Sequence, residues 1–506
     1  MKEILRKFER LLWEECVSYE KNAEELYHGL EVNDADDTWY WKDIDYSDEQ
    51  RSFWPAAEHF KRIRAILNGF GKARLSEDKP YAAKMIGALK YWLIHDFENP
   101  NWWWNEIGTP LHVGNIAMMM HSVLDEATLA QAAEIVAKGS MSQIEMTTAR
   151  WTGANLMWCV LNTIRHALIT EDAPLLRLAA DRLSEEITVG LSGGIQKDLS
   201  FFQHGPRLYS GGYGRSFVCD VSKILFLLNE TEFQLPCEKA ELVLSFILEG
   251  LRPMTQGKGL DWACIGREIS RVDGGHVGKL ESSLELLLQT PGLPRKRELK
   301  DFLRSMHGGT QGDGTKYFEK AFMLCHHFDG IYVGAKFLND KLYGAEIING
   351  EGALCYNMSY GTHTCIMRTG EEYLNINPVW DYSRIPGTTS RLETDAQLLM
   401  HVDWRKCPLP NDHFGGIEKD RRAAIYELAE HDGIKILVTD FAFENGFVCL
   451  GTEWEINRTG GEELVTTVDQ CLARGPVSFE KESVIHNSIR YTPLQSTHME
   501  AKVETK

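Results

Sequence analysis

The chain has 506 residues, enough for about two to four domains. Acidic residues number 73 and basic residues 54, which gives a net charge of −19. Nucleic-acid binding needs a basic face, so this balance argues against nucleic acid as a general partner. No apolar run is long enough to cross a membrane, so we expect no membrane span either.

The cysteines and the N-terminus predict a compartment. Eleven cysteines are scattered along the chain without a Cys-x-x-Cys pair, which disfavours a zinc ribbon and favours free thiols in a reducing environment. The segment Met1–Leu12 is interrupted by charges and has helical apolar spacing, unlike a signal peptide. We therefore expect a cytoplasmic protein; the alternative is export with the leader already removed.

The first three-fifths of the chain is predicted to be helical, over residues 1–306. Apolar residues recur every three or four positions, and short breaks rich in Gly, Pro, Asn and Asp separate the segments. No interleaved strands are expected here, so the region is predicted to be an all-α layer of antiparallel hairpins. The predicted helices cover 3–18, 52–69, 79–97, 113–121, 127–138, 153–169, 174–189, 212–229, 238–250 and 278–289.

The composition changes at residues 307–314, where glycine dominates and a linker is predicted. Beyond it, short β-rich segments such as Ile434–Thr439 and Phe447–Gly451 alternate with turns. The turn Glu444–Gly446 carries the Asn-Gly pair typical of a tight hairpin. Residues 315–506 are therefore predicted to form antiparallel sheets in a β-sandwich.

The segment Asp198–Gly214 has the strongest chemical signal. His204 precedes Tyr213 by nine residues, and three glycines surround the tyrosine. An imidazole can help to hold a carboxylate, and a phenol can accept a proton once its ionised form is stabilised. Glycines let the backbone turn tightly and let a bulky ligand approach. The pair therefore suits removal of a carbon-bound proton next to a carboxylate; the alternative is a surface loop with two aromatic residues.

Further segments, in the same order along the chain, resemble the motifs of polysaccharide lyase family 8, whose members cleave hyaluronate, chondroitin and xanthan by β-elimination. The matching segments are Asn101–Pro110 (aromatic), Thr152–Asn155 (asparagine), Gly266–Arg271 (arginine), Glu346–Glu351 and Arg384–Thr389. The resemblance runs from about residue 40 to the end. It implies an α+β multidomain protein, with an incomplete α/α toroid followed by an antiparallel β-sandwich that is shorter than in the family.

The resemblance also implies the roles of five residues. Asn155 and His204 would hold the uronic carboxylate and favour the enolate-like state. Tyr213 would remove the C5 proton and return it to the leaving O4. Because a phenol needs a cationic neighbour to ionise near neutrality, Arg267 is its expected partner, oriented by Glu346. Asn155 alone would also suit a helix N-cap.

Other residues are expected to contact the substrate, an anionic polysaccharide. A tryptophan run can stack on sugar rings, although packing at helix contacts is the alternative. Tyr209 is expected to pack or to line the substrate. The predicted substrate-binding set is Trp102, Trp103, Trp104, Tyr209, Arg271 and Asn349. No metal or cofactor is required by this chemistry, a structural cation is left open, and a monomer is expected.

Some positions depart from the family pattern. Leu156 follows the asparagine where an arginine is common, and Trp104 and Asn105 stand where an acidic residue is frequent. Leu199 replaces a common glycine. These changes remove no proposed catalytic group, but they leave the identity of the polymer open.

The same residues leave other functions open. A degenerate lyase that binds polysaccharide without cleaving it is the main alternative. Residues Gly190–Gly194 fit the Gly-x-Ser-x-Gly pattern of serine hydrolases but lack the expected strand before the serine. His326, His327 and His363 lack metal-site spacing. Hydrolysis would require paired carboxylates across a cleft, for which the sequence gives no pairing.

Overall fold

The structure is a computed structural model of the full chain. It describes the chain except for residues 16–21, 146–150, 191, 310, 349–350, 360–361, 401–412, 432, 457–462, 495–498 and 505–506, and except for the side chains of residues 453–454. Two compact units are present: a first unit of residues 1–186 and 223–236, and a second of residues 187–222 and 237–506.

The first unit is helical. Its core is built from helix faces that bury large apolar side chains such as Phe60, Trp92 and Ile116. Asp78 and Asp125 cap two of the helices through side-chain acceptors. The helices are α1 (Lys2–Glu14), α2 (Ala23–His28), α3 (Glu58–Glu77), α4 (Lys79–His95), α5 (Thr109–Met119), α6 (Glu126–Ala137), α7 (Gly153–Ile169) and α8 (Ala173–Glu186), with a small hairpin of β1 (Glu31–Asn33) and β2 (Thr38–Tyr40).

The second unit begins with two local hairpins and further helices. The hairpins pair β3 (Gly194–Ile195) with β4 (Phe201–Phe202), and β5 (Thr255–Gln256) with β6 (Gly259–Leu260). The next helix, α9 (Arg215–Leu228), starts in this unit and ends in the first. The others are α10 (Cys237–Ser245), α11 (Gly278–Gln289), α12 (Lys296–Met306) and the short α13 (Asp395–Leu398).

The rest of the second unit is dominated by antiparallel strands. The strands are β7 (Gly314–Phe318), β8 (Met323–Phe328), β9 (Ile331–Lys336), β10 (His363–Met367), β11 (Thr389–Arg391), β12 (Phe414–Lys419), β13 (Arg422–His431), β14 (Ile434–Phe443), β15 (Gly446–Ile456), β16 (Leu464–Thr466), β17 (Val477–Glu480), β18 (Ser483–His486) and β19 (Ile489–Tyr491).

Two four-stranded sheets form the largest part of this β-region. Their strand orders are β10-β9-β8-β7 and β12-β13-β14-β15. They meet where β7 lies beside β12, and the Tyr317 amide donates to the Glu418 carboxylate across that junction at 2.6 Å. Along β13 every second residue is buried, as expected for a strand with one face on a core.

The predicted fold class is confirmed: a helical region precedes antiparallel sheets, and the hairpin predicted at Glu444–Gly446 joins β14 to β15. The expectation that no strands interrupt residues 1–306 is wrong, because β1 to β6 lie there. Each has only two or three residues, too few to show a period of two. Within the described ranges, no helix combines the length and the apolar character that a membrane crossing requires.

Candidate active site

The second unit contains a buried carboxylate, Glu346, whose hydrogen-bond capacity is filled by four side chains. Its Oε1 accepts from His204 Nδ1 at 2.6 Å and from Arg207 Nη1 at 3.3 Å. Its Oε2 accepts from the Tyr209 hydroxyl at 2.7 Å and from Arg267 Nη1. The side chain has no exposed surface. Two guanidinium groups balance the buried charge, as a buried carboxylate requires.

The guanidinium of Arg267 links this carboxylate to Tyr213. Nη1 donates to Glu346, Nε donates to Glu351 Oε2 at 2.9 Å, and Nη2 donates to the Tyr213 hydroxyl at 3.0 Å. Each nitrogen therefore has its own partner, which a rigid planar fork allows. The result is a positive charge held in contact with the phenol oxygen.

Tyr209 lies fully buried beside Tyr213, with their ring centroids 5.0 Å apart in an edge-to-face contact. The Tyr209 hydroxyl donates to Glu346 and accepts from the backbone amide of Arg267 at 3.2 Å. Gly266, at φ +59, packs against the Tyr209 ring so closely that a Cβ would come within 2.2 Å of it. Tyr209 therefore ties the arginine segment to Glu346, and the glycine is needed for that approach.

His204 is positioned by the same carboxylate. Burial, together with the nearby charges of Arg267 and Arg207, lowers the pKa of His204 to about 4. The neutral ring then donates from Nδ1 to Glu346 and keeps Nε2 as an acceptor. Donation from Nε2 to a substrate carboxylate consequently requires the protonated ring. Because an anion next to Nε2 favours the imidazolium, binding of a carboxylate would draw a proton onto His204.

The backbone around His204 is unusual. His204 has φ +58 and Leu199 has φ +67, both in the left-handed region that bulky residues rarely occupy. The family glycine replaced by Leu199 thus corresponds to a position that does need this conformation. Tyr213 lies in a π-helical turn, Ser210–Gly214, that leads into α9. Such turns are frequent at functional sites.

A second carboxylate, Glu351, faces two arginines. Arg271 donates to it from Nε at 2.6 Å and from Nη2 at 2.9 Å, and Arg267 donates from Nε. Burial alone would raise the pKa of Glu351, but the hydrogen bonds and charges of Arg271 and Arg267 bring it below its ordinary value. Asn349, predicted to contact substrate, lies outside the described residues.

Asn155 belongs to the first unit, where it is buried in the first turn of α7. The helix begins at Gly153 with Thr152 as its N-cap, so the alternative that Asn155 is the N-cap is wrong. The Gly153 amide, at φ +55, donates to Glu186 Oε1 at 2.6 Å. This contact fixes the start of the helix and with it the position of Asn155.

The predicted aromatic platform also lies in the first unit. Trp102, Trp103 and Trp104 are each half-buried, within and beside the π-helical turn Trp104–Gly108 that precedes α5. Trp102 packs edge-on against the buried Trp151, with centroids 5.8 Å apart. Trp103 packs edge-on against Trp158 at 5.6 Å. The three rings are thus part of a packed cluster and still present surface to solvent.

His326 and His327 have structural contacts. His326 bonds to the Thr315 hydroxyl at 2.8 Å and to the Phe443 carbonyl at 2.7 Å, and His327 bonds to the Pro253 carbonyl at 3.0 Å. Over the part of the chain that the structure describes, no set of three His, Cys, Asp or Glu residues is grouped as metal ligands.

Six predicted residues come together in the second unit: His204, Tyr209, Tyr213, Arg267, Arg271 and Glu346. Sequence reasoning did not single out Glu351, although it closes the motif that starts at Glu346. The signal that could have found it was its spacing: a carboxylate two residues after the predicted Asn349 reaches the same cluster. Arg207 is also absent from the predicted site residues, although it is buried against Glu346.

A helical region, antiparallel sheets and a cluster of His, Tyr, Arg and Glu are the features expected of a polysaccharide lyase. The family comparison agrees. Residues 2–298 match the model of the polysaccharide lyase family 8 N-terminal alpha-helical domain, and residues 313–503 match that of the family 8 super-sandwich domain. The chain belongs to polysaccharide lyase family 8.

Individual relatives agree with this assignment. The chain is 28% identical over 455 residues to chondroitinase-AC of Pedobacter heparinus, covering 86% of this chain and 62% of that protein. It is 26% identical over 269 residues to xanthan lyase of Bacillus sp. strain GL1, covering 47% of this chain and 27% of that protein. A chondroitinase AC lyase solved with oligosaccharides superposes with a TM-score of 0.81 at 24% identity, covering 97% of this chain and 74% of that one. The chain thus spans under two thirds of the length of these two curated relatives.

Proposed function

We propose that this chain is a carbon–oxygen lyase that cleaves uronic-acid-containing polysaccharides by β-elimination. The substrate is a hyaluronate- or chondroitin-type glycosaminoglycan or xanthan, and the product carries a 4,5-unsaturated uronosyl end. One observation carries the proposal: the Tyr213 hydroxyl accepts from Arg267 Nη2 at 3.0 Å while the His204 ring lies 4.9 Å from the Tyr213 ring.

The chemistry follows from these contacts. Tyr213, ionised beside Arg267, takes the C5 proton; the C4–O4 bond breaks as the C4–C5 double bond forms. The proton then passes from Tyr213 to the leaving O4, so the phenolate is regenerated. Proton transfer of this kind contributes about 10²- to 10⁴-fold to the reaction rate. Arg267 itself does not take up or release a proton in this step.

The carboxylate of the uronic acid must be neutralised for the enolate-like state to form. Asn155 and protonated His204 are proposed as its donors, and one such donor contributes about 3 kcal/mol in comparable sites. Glu346 orients His204 and Arg267. Trp102 to Trp104, Tyr209, Arg271 and Asn349 keep their proposed substrate-binding roles.

We propose the domain roles that the sequence predicts. Residues 1–306 form the α/α toroid catalytic domain, 307–314 the linker and 315–506 the β-sandwich, which contributes Glu346. The reaction as written uses side chains alone, with no cofactor. Action as a monomer and a cytoplasmic location stay predictions.

The test is direct. The protein is incubated separately with hyaluronate, chondroitin sulfates and xanthan, and the ultraviolet absorbance of the conjugated product is followed. New absorbance with one polymer supports elimination and names the substrate. Reducing ends without absorbance would indicate hydrolysis instead. Binding without any cleavage would support the degenerate polysaccharide-binding alternative.

A further inference from the structure

Glu351 is placed to control the orientation of Arg267. Its backbone pairs with that of Ile348: the Ile348 amide donates to the Glu351 carbonyl at 3.1 Å and the Glu351 amide donates to the Ile348 carbonyl at 2.9 Å. The Glu351 carboxylate contacts Arg267 Nε and two nitrogens of Arg271. Its side chain is only 10% exposed, so solvent screens these contacts little.

The guanidinium of Arg267 is planar, and two carboxylates hold it at different nitrogens. Glu346 alone, at Nη1, would leave the plane free to turn about that contact. Glu351, at Nε, removes this freedom and fixes where Nη2 points. In the structure Nη2 points to the Tyr213 hydroxyl at 3.0 Å.

We propose that Glu351 is a positioning residue for the elimination reaction: it orients Arg267 so that Nη2 stays on the Tyr213 oxygen. This inference rests on the proposed function, because it is the base role of Tyr213 that makes the orientation matter. Glu351 touches neither Tyr213 nor a reacting atom and acts through Arg267.

A competing explanation is that Glu351 matters only through Arg271. Glu268 separates the two explanations, since it is a similarly buried carboxylate, 9% exposed, that contacts Arg271 at 3.4 Å and Arg215 at 3.1 Å. The contacts of Glu268 in the described structure go to those arginines and not to Arg267. Glu268→Gln therefore weakens a contact of Arg271 but leaves the contacts of the Arg267 guanidinium unchanged.

The kinetic experiment compares Glu351→Ala, Glu351→Gln and Glu268→Gln. We expect Glu351→Ala to lower kcat by about tenfold to a hundredfold, the range seen when an orienting partner is lost. Glu351→Gln keeps one oxygen for Arg267 Nε and should recover part of that loss. Glu268→Gln should change kcat by no more than about twofold while it alters KM through Arg271.

The pH–kcat profile gives a readout that a merely structural role would not move. If Arg267 turns away from Tyr213, the profile of Glu351→Ala shifts to higher pH, because the phenolate loses its cationic neighbour. Loss of a negative charge without reorientation would shift the profile to lower pH. A shift of the Glu351→Ala profile to lower pH would overturn the proposal. Equal kcat values for Glu351→Gln and Glu268→Gln would also overturn it, and this comparison is available even if the alanine variant does not fold.

A crystal structure of Glu351→Ala, or of Glu351→Gln if the alanine variant does not fold, decides the matter independently of activity. The proposal expects Arg267 Nη2 to leave the Tyr213 oxygen in the alanine variant and its contact to loosen in the glutamine variant. An unchanged Arg267–Tyr213 contact contradicts the positioning role even if the protein proves to be no lyase. Absence of turnover with every polymer, together with a displaced Arg267, would instead count against the proposed function alone.

Discussion

The polar cluster around Glu346 in the second unit and the tryptophan cluster in the first encode function in different ways. Both adjoin a π-helical turn, Ser210–Gly214 in one case and Trp104–Gly108 in the other. In the polar cluster each donor has a directed acceptor, so single atoms carry the role. In the tryptophan cluster the rings pack edge-on, and what remains for a ligand is exposed surface. Changes of single atoms should therefore be decisive in the first case and changes of ring area in the second.

The strongest way to break the polar cluster is to remove its central carboxylate. Glu346→Ala leaves Arg207 and Arg267 buried without their counter-charge, so we expect the free energy of unfolding to fall by about 3–5 kcal/mol. Denaturant unfolding measures this change. The exposed pair Glu480–Arg490 gives the control, since Glu480→Ala should have little effect. A Glu346→Ala variant as stable as that control would show that the cluster is not a tightly coupled unit.

The next test separates chemistry from packing with two tyrosines. Tyr213→Phe removes only the oxygen that accepts the hydrogen bond from Arg267 Nη2. The kcat should fall by at least roughly 10²-fold, which is what a general base typically contributes. The melting temperature should fall moderately, because the buried Arg267 Nη2 loses its acceptor. In Tyr209→Phe a buried hydroxyl is lost from Glu346, so stability should fall by about 1–3 kcal/mol. Near-normal turnover in Tyr213→Phe would contradict its role, and collapse of kcat in Tyr209→Phe alone would transfer that role to Tyr209.

Sequence reasoning reached the parts of the molecule that have local signals. The β14–β15 hairpin has an Asn-Gly turn, and the helical spacing of α7 is clear over seventeen residues. Short pairings such as β3 with β4 have no such period and were not expected. Helix α3 begins at Glu58, later than the predicted residue 52, because Pro55–Ala57 forms a separate 3-10 turn.

For the site, too, only features with a local sequence signal could be predicted. His204 and Tyr213 lie close in sequence, so their pairing could be inferred from spacing. The contacts of Glu351 with Arg267 and Arg271 span 84 and 80 residues, and composition does not predict pairings over such distances. The neutral state of His204 likewise follows from burial between two arginines, which no local pattern reveals.

Substitutions that remove aromatic ring area test the tryptophan cluster. Trp103→Ala should raise KM by roughly three- to tenfold with a smaller effect on kcat, because a sugar-stacking ring contributes about 0.5–1.5 kcal/mol of uniform binding. Trp151→Ala is the matched control: this ring is buried in the same cluster, so its loss should lower the melting temperature and leave KM unchanged. If Trp103→Ala and Trp151→Ala both lower stability and neither alters KM, packing explains the tryptophan run.

The last test concerns the protonation of His204. Its pKa is about 4 in the folded protein against an ordinary 6.5, because burial disfavours the imidazolium and Arg267 and Arg207 oppose it. Between these values the unfolded chain binds a proton that the folded chain does not, so stability falls as pH drops from about 6.5 to about 4 and levels off below. The measurement is the difference in unfolding free energy between wild type and His204→Asn across this window. Other buried groups titrate in both proteins and cancel, so we expect the advantage of wild type to shrink as pH falls. An advantage that grows towards low pH would mean that His204 is already an imidazolium paired with Glu346, and the proton uptake proposed for carboxylate binding would then be excluded.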